Sequence, residues 1–389
     1  MPKRILILVS GSGGGHIQAG KNVARTIQEL APSALVVIKD SYDFLHAFKH
    51  WQYTTGWELL FQYAAPLYGF FRHKAGQSPA ALRAIRKSFI PASRALSEWL
   101  ELEEQRGGRF DAVVATQPHG AGLMDAVKLR APWRETYLAQ IWTDYQYYDL
   151  YFATRVDRYF AAEKEFAEKA HSLHPNMQIT VSGIPIHPCF NVTFNKDEAR
   201  RRFDLPQDGR PIVLITRGSL GYGSGKTLKL LKLLSRSKLP LTIVANAGRN
   251  QALAERMRAI QPHVLGWIDD MYALLAVTDI LLAKPGGLML AEALARGVPL
   301  YGFEPIPGQE EANLKFLEKH NVGGEIKNAK QAVAVVNKLI RGPGELTALK
   351  KRAAVLGFPD SSYRVAKTVL EDIGVSVLAS NPQKSGQAC

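Results

Sequence analysis

Four segments carry most of the residue types in this chain that can do chemistry, and all four are loops rich in glycine or proline. Lys284-Pro285-Gly286-Gly287-Leu288 leads into a helical pattern that carries Glu292. Glycines at such a junction free backbone amides to meet phosphate oxygens, and Lys284 brings a cation to the same place. Glu292 falls a little over one turn into the helix, where a carboxylate cannot favour phosphate but suits a neutral diol such as a ribose. Pro305-Ile306-Pro307-Gly308-Gln309-Glu310-Glu311-Ala312-Asn313 follows the next apolar run and offers an amide and carboxylates at the head of a helix, the pattern that reads several hydroxyl groups. Taken singly, each segment is equally a helix cap with a solvated acid. At successive strand ends they predict a nucleotide-sugar site.

The third loop, Gly218-Ser219-Leu220-Gly221-Tyr222-Gly223-Ser224-Gly225-Lys226-Thr227, ends like a P-loop, but that motif needs glycine at 220, where Leu220 stands. Its amides remain candidate diphosphate ligands. Near the N-terminus, Gly11-Ser12-Gly13-Gly14-Gly15-His16 comes after an apolar run and before a helix expected from about Gln18. Gly14 and Gly15 let the backbone approach a ligand closely. The dinucleotide fingerprint fails at its third glycine, which is His16, and Asp40 lies 29 residues beyond Gly11 rather than roughly 20. A helix N-terminus disfavours the imidazolium, so His16 is a candidate base or acceptor contact. The bland alternative is a helix-start histidine that only hydrogen-bonds.

These loops need a scaffold that delivers them to one edge. Short apolar runs alternate with amphipathic segments, the sign of βα units and parallel sheets. Strands are expected over 5–9, 35–39, 111–116, 137–142, 158–161 and 178–181, then over 212–216, 241–246, 264–266, 280–283 and 299–303. Gly183-Ile184-Pro185-Ile186-His187-Pro188 breaks any regular element between the two series. The expected organisation is therefore two Rossmann-like, doubly wound α/β domains, 1–185 and 186–360, with a cleft between the carboxyl ends of their sheets. A C-terminal helix over 361–375 could cross back to the first domain, and 376–389 is expected to be disordered.

At 389 residues each half is large enough for its own core, and 46% hydrophobic with 22% charged residues is a globular composition. Two cysteines, Cys189 and Cys389, give no disulfide framework or zinc spacing and fit a reducing cytoplasm. The N-terminal basic pair and apolar run imitate a signal peptide but lack its h-region, and no apolar stretch approaches the roughly 20 residues that span a bilayer. A net charge of +14 calls for an anionic partner, unless it is only scattered solvated lysine. Residues 51–74 hold Trp51, Tyr53, Trp57, Phe61, Tyr63, Tyr68, Phe70 and Phe71 beside Arg72 and Lys74. They suit a membrane interface or, equally, a helical excursion packed on the first core. No helix-turn-helix, zinc or RNA-binding signature is present, so nucleic acid is not an expected partner.

The KPGG…E and PIPGQE..N pair, with SGSGGGH in the first half, resembles the glycosyltransferase family of monogalactosyldiacylglycerol synthases and processive diacylglycerol glucosyltransferases, relatives of the lipid-II-forming peptidoglycan transferase. Thr143-Asp144-Tyr145, Val156-Asp157-Arg158-Tyr159-Phe160, Gly183-Ile184-Pro185-Ile186 and Gly266-Trp267 follow in family order, over roughly 5 to 370. The resemblance implies a GT-B fold, a UDP-sugar held by the C-terminal half, a lipid acceptor met by the N-terminal half, and inversion at the anomeric carbon with no metal or cofactor beyond the UDP-sugar co-substrate. Carried over, Glu292 takes the ribose, and Gly286, Gly287 and Leu288 the diphosphate, with Gly218, Ser219 and Lys284 beside them. Gln309, Glu310 and Asn313 take the sugar, Gly266 and Trp267 the uracil neighbourhood, and His16, Gly14, Gly15 and Asp144 the acceptor side. It implies a cytoplasmic protein, peripheral on the anionic inner face of the membrane. Where the family has histidine and tryptophan after Thr143-Asp144-Tyr145, this chain has Tyr148 and Tyr151, and Thr116-Gln117-Pro118 replaces threonine-histidine-proline. Both departures lie in the acceptor half. A UDP-N-acetylglucosamine 2-epimerase-like isomerase is the alternative enzyme on such a fold.

Overall fold

The computed structural model describes residues 2–11, 14–56, 90–145, 155–218, 224–306 and 310–377. It divides into two compact units, Met1–Pro188 with Asp360–Cys389, and Cys189–Pro359.

In the first unit, strands β1 (Arg4–Val9), β2 (Leu35–Asp40), β3 (Ala112–Ala115), β4 (Tyr137–Ile141), β5 (Arg158–Ala161) and β6 (Ile179–Val181) pair in parallel in the order β2-β1-β3-β4-β5-β6. The two-residue period of β1 decides the layers. Ile5, Ile7 and Val9 pack on Val23 and Ile27 of the helix Gly14–Leu30 and on Val365 and Val369 of the helix Ser361–Asp372. Leu6 and Leu8 face the opposite way, onto Leu96 and Leu100 of the helix Ile90–Gly107 and Leu123 and Met124 of the helix Pro118–Val127. Both faces of a parallel sheet are thus covered by helices, as its hydrophobic strands require. Gly20 lets the helix Gly14–Leu30 lie close on β1, since a Cβ there would collide with Val9 and come within 3.1 Å of Ile7. That helix starts four residues before the expected Gln18 and takes His16 into its first turn.

The first unit also runs past the expected break at 185/186, to Pro188. The amide of Asn22 donates to the Pro185 carbonyl at 3.2 Å, the Ile186 amide donates to the Ser361 hydroxyl at 3.2 Å, and the Ser362 hydroxyl donates to the Ile186 carbonyl. The Gly-Pro segment is therefore stitched into the unit. The helix Ser361–Asp372 is held at its far end by a bidentate pair from Arg158 to Asp372, at 2.6 and 3.0 Å, and by the Tyr137 hydroxyl donating to the same carboxylate.

In the second unit, β7 (Ile212–Thr216), β8 (Thr242–Asn246), β9 (Val264–Leu265), β10 (Ile280–Ala283), β11 (Leu300–Gly302) and β12 (Gly323–Glu325) form a second parallel sheet, β12-β11-β10-β7-β8-β9. Strand β12 was not expected because Gly-Gly-Glu has no apolar alternation. Glycine is needed there for a different reason: a Cβ on Gly323 would run into the Leu300 carbonyl of the neighbouring strand. Val213 and Ile215 pack on Leu231 and Leu234 of the helix Ser224–Arg236, Met257 of the helix Gln251–Arg258 and Val336 of the helix Ala329–Arg341. Arg296 fastens the start of the unit, donating to the carbonyls of Tyr272, Val192 and Cys189 and lying over the Phe190 and Phe194 rings.

Candidate active site

In each sheet the strand order reverses once. It does so between β1 and β3 in the first unit and between β7 and β10 in the second. Crevices for ligands in such sheets open outside the carboxyl ends of the strands at these points. The loops singled out for their chemistry leave from the same four strands: His16 follows β1, Thr116 follows β3, Gly218 follows β7 and Lys284 follows β10.

In the first unit His16 is half-buried in the first turn of the helix Gly14–Leu30. Its Nδ1 lies 3.0 Å from the Thr116 carbonyl oxygen and 2.9 Å from the Thr143 hydroxyl, while the Thr116 hydroxyl donates to the His16 carbonyl at 3.0 Å. The ends of β3 and β4 thereby grip a ring carried on the turn after β1. Gly14 and Gly15 open the same helix, and Asp144 follows Thr143, half-buried. Beside this group, His119 is buried against Ser41, with 3.2 Å between Nδ1 and Oγ, and edge-on to Tyr42; burial pushes its pKa down to about 4, which keeps it neutral. Burial raises the Asp40 carboxyl against the opposing bonds from the Tyr42 and Gly11 amides.

In the second unit the helix Gly287–Ala295 begins at Gly286 with no side chain capping its first turn, so its first amides keep their hydrogens for a ligand. Lys284 reaches Glu310 at 2.7 Å. Glu310, 3% exposed, also accepts from the Ile306 amide at 2.9 Å. Asn313 is fully buried and donates to the Pro285 carbonyl at 2.9 Å. Glu310 and Asn313, expected to read sugar hydroxyls, therefore spend these groups on holding the Lys284 and Pro305 loops together. Gln309 and Ser219 lie outside the described residues, as do 57–74 of the aromatic segment, Tyr148, Tyr151 and 378–389 of the tail.

Glu292 differs from its neighbours. Among the described residues nothing hydrogen-bonds to its carboxylate, and the crowding of protein around this partly accessible side chain pushes its pKa up to about 8. An acid in that state is short of donors, which a vicinal diol supplies. Gly218 takes φ +73°, a conformation that suits glycine, and its amide donates to the Thr216 hydroxyl at 3.3 Å. That hydroxyl in turn donates to Asn246, whose amide donates to the Gly266 carbonyl at 2.6 Å. One chain of bonds thus sets the Gly218 and Gly266 loops. Trp267, 36% exposed, has Arg249 over its ring at 4.2 Å and donates to Asp269 at 3.0 Å.

One set of charges was missed in the sequence. Glu304, at φ +52°, binds Arg217 at 2.7 Å and Lys226 at 3.2 Å, joining the loops after β7 and β11. Arg217 is 9% exposed, and burial lowers its pKa against the pull of Glu304 and Glu310. Nothing in the spacing of 217, 226 and 304 announces a cluster; only the folding of β7 and β11 into one sheet, on either side of β10, brings them together. Among the described residues no group of histidine, cysteine, aspartate and glutamate could hold a metal ion, and no helix is long and apolar enough to cross a membrane.

Residues 16–186 match the family model described as monogalactosyldiacylglycerol (MGDG) synthase. The processive diacylglycerol beta-glucosyltransferase of Bacillus pumilus (strain SAFR-032) is 30% identical over 241 residues, 60% of this chain and 61% of that protein. The protein of the same name from Bacillus subtilis (strain 168) is 25% identical over 384 residues, 95% of this chain and 94% of the relative. The chain thus spans about three-fifths of the first relative's length and nearly all of the second's. Among solved structures, MurG of Acinetobacter baumannii superposes with a TM-score of 0.61 at 16% identity, over 95% of this chain and 100% of that one. A UDP-GlcNAc 2-epimerase from Neisseria meningitidis bound to UDP-GlcNAc gives 0.57 at 16% identity, over 95% and 100%. At such identities these likenesses speak for the fold alone, and that fold is the GT-B pair of Rossmann-like α/β domains.

Proposed function

We propose that this chain, similar in sequence to the monogalactosyldiacylglycerol synthases and processive diacylglycerol glucosyltransferases, is a glycosyltransferase that moves a hexose from a UDP-sugar to a diacylglycerol-like lipid, with inversion at the anomeric carbon. The observation that carries the donor half is Glu292, an acid without a donor partner in the helix whose uncapped amides follow Lys284. Amides and cation would take the diphosphate and the carboxylate the ribose, which is the division of charge that a nucleoside diphosphate needs. Arg217 and Lys284 then offset the charge that grows on departing UDP, a role that amides and cations fill in a dry site without a metal ion.

His16 would remove the acceptor proton, a reading supported by its ring being held by Thr116, and a base of this kind contributes roughly 10²–10⁴-fold. The net charge of +14, with Phe48 and Trp51 exposed and ring-stacked near the start of the aromatic segment, supports a peripheral position on an anionic membrane surface, on the cytoplasmic side. The epimerase shares the fold, so the fold does not separate the two enzymes; the diacylglycerol glucosyltransferases among the sequence relatives favour transfer.

The test is to incubate the purified protein with UDP-glucose, UDP-galactose or UDP-N-acetylglucosamine and membrane lipid extract. UDP release with one donor, matched by a new glycolipid in the mass spectrum, is the expected result. No release with any of the three would sink the proposal, and interconversion of UDP-sugars without lipid would establish the epimerase.

A further inference from the structure

The contacts of the His16 ring say more than that a base is present. Nδ1 has the Thr116 carbonyl oxygen at 3.0 Å and the Thr143 hydroxyl at 2.9 Å. A carbonyl oxygen has no hydrogen to give, so the short contact with it is a hydrogen bond only if Nδ1 carries the proton. A bare Nδ1 would bring two lone pairs face to face. The Thr143 hydroxyl shares the same proton as a second acceptor. Which nitrogen of a histidine is basic is set by the bond that the other one makes.

We propose that the Thr116 carbonyl and the Thr143 hydroxyl fix the proton of His16 on Nδ1, so that Nε2 is the atom that receives the acceptor proton. This inference rests on the transfer reaction proposed above. In that step the acceptor oxygen bonds to the anomeric carbon as its proton passes to Nε2. The bond from that carbon to the diphosphate oxygen breaks, and its electron pair leaves with the nucleoside diphosphate. Thr143 is a positioning residue: it touches the ring of the base and acts through it. Thr116 holds the same histidine twice, since its hydroxyl also donates to the His16 carbonyl at 3.0 Å. Both threonines stand at the ends of adjacent strands, β3 and β4, and Thr116 is fully buried. The sheet itself, rather than a loose turn, therefore sets the orientation of the ring.

Long-range proton–nitrogen spectra of the full chain with ¹⁵N-labelled histidine read the tautomer directly. His16→Gln identifies the signal among the 10 histidines. The expected spectrum has Nδ1 protonated and Nε2 bare, the reverse of the form that imidazole side chains favour in water. A proton on Nε2 would overturn the inference. In the UDP-release assay with membrane lipid extract, Thr143→Val is expected to lower kcat roughly tenfold with the donor KM unchanged, and Thr143→Ser to recover most of it. A Thr143→Val enzyme with the wild-type kcat would also overturn it. If the valine variant fails to fold, the wild-type spectrum decides. Should the wild type release no UDP from any donor, the transfer reaction falls, while the spectrum still reports on which nitrogen the proton sits.

Discussion

At the scale of single residues, Glu292 and Glu310 are held differently, the first without a donor among the described residues and the second by Lys284, and each leads to a measurement. Glu292 holds its proton more tightly in the folded protein than in the unfolded chain, because its pKa rises from 4.5 to about 8. The stability it contributes is complete below pH 4.5 and is lost as pH climbs through about 8. Glu292→Gln lacks that dependence, so the melting temperature of the variant should gain on the wild type between pH 5 and pH 9; parallel curves would show that the carboxyl is not perturbed. The same variant should bind UDP more weakly by about tenfold, the loss of a hydrogen bond or two, as titration calorimetry would show. Glu310 is instead a buried charge that depends on Lys284. Lys284→Ala alone should cost about 1–3 kcal/mol in urea unfolding, discounted because the lysine is a third exposed. Adding Glu310→Gln should return part of that loss, whereas additive costs would mean the pair is not coupled.

At the scale of elements, eleven of the twelve strands were legible because apolar runs between glycines and prolines leave a parallel sheet little choice. Strand β12 was illegible for a physical reason, since glycine serves there to let Leu300's carbonyl approach. The loops of the candidate site could be read too, but not the fate of each side chain in them. Asn313 and Glu310 carry the right chemistry for a sugar and are buried as loop braces. The roles of Thr143 and Glu304 gave no local signal, because their partners are distant in the chain: His16, 127 residues from Thr143, and Arg217 and Lys226 for Glu304. The helix Ser361–Asp372 supplies the element-scale prediction. Asp372→Asn replaces a carboxylate that receives the Tyr137 hydroxyl and two bonds from Arg158, and should destabilise the first unit by about 2 kcal/mol. Amide hydrogen exchange would place that loss in this helix; uniform exchange over the unit would count against the latch.

At the scale of the whole molecule, the charge of +14 becomes a prediction about salt. Vesicles of anionic phospholipid should bind the protein at low ionic strength and release much of it near about 0.5 M salt, where the screening length has shrunk to a few ångströms. Salt-independent binding would point to aromatic insertion instead. A second whole-molecule consequence lies in the order in which the chain is made. The second unit, Cys189–Pro359, is nested inside the first, whose core is closed by Val365, Ala366, Val369 and Leu370 near the end of the chain. A growing polypeptide therefore finishes its second domain while the first, though begun earlier, still shows an open apolar face. The ribosome releases the two halves in the reverse order of their beginnings, so a chain stopped after Pro359 should carry a folded second unit and an amino-terminal half that aggregates or recruits chaperones.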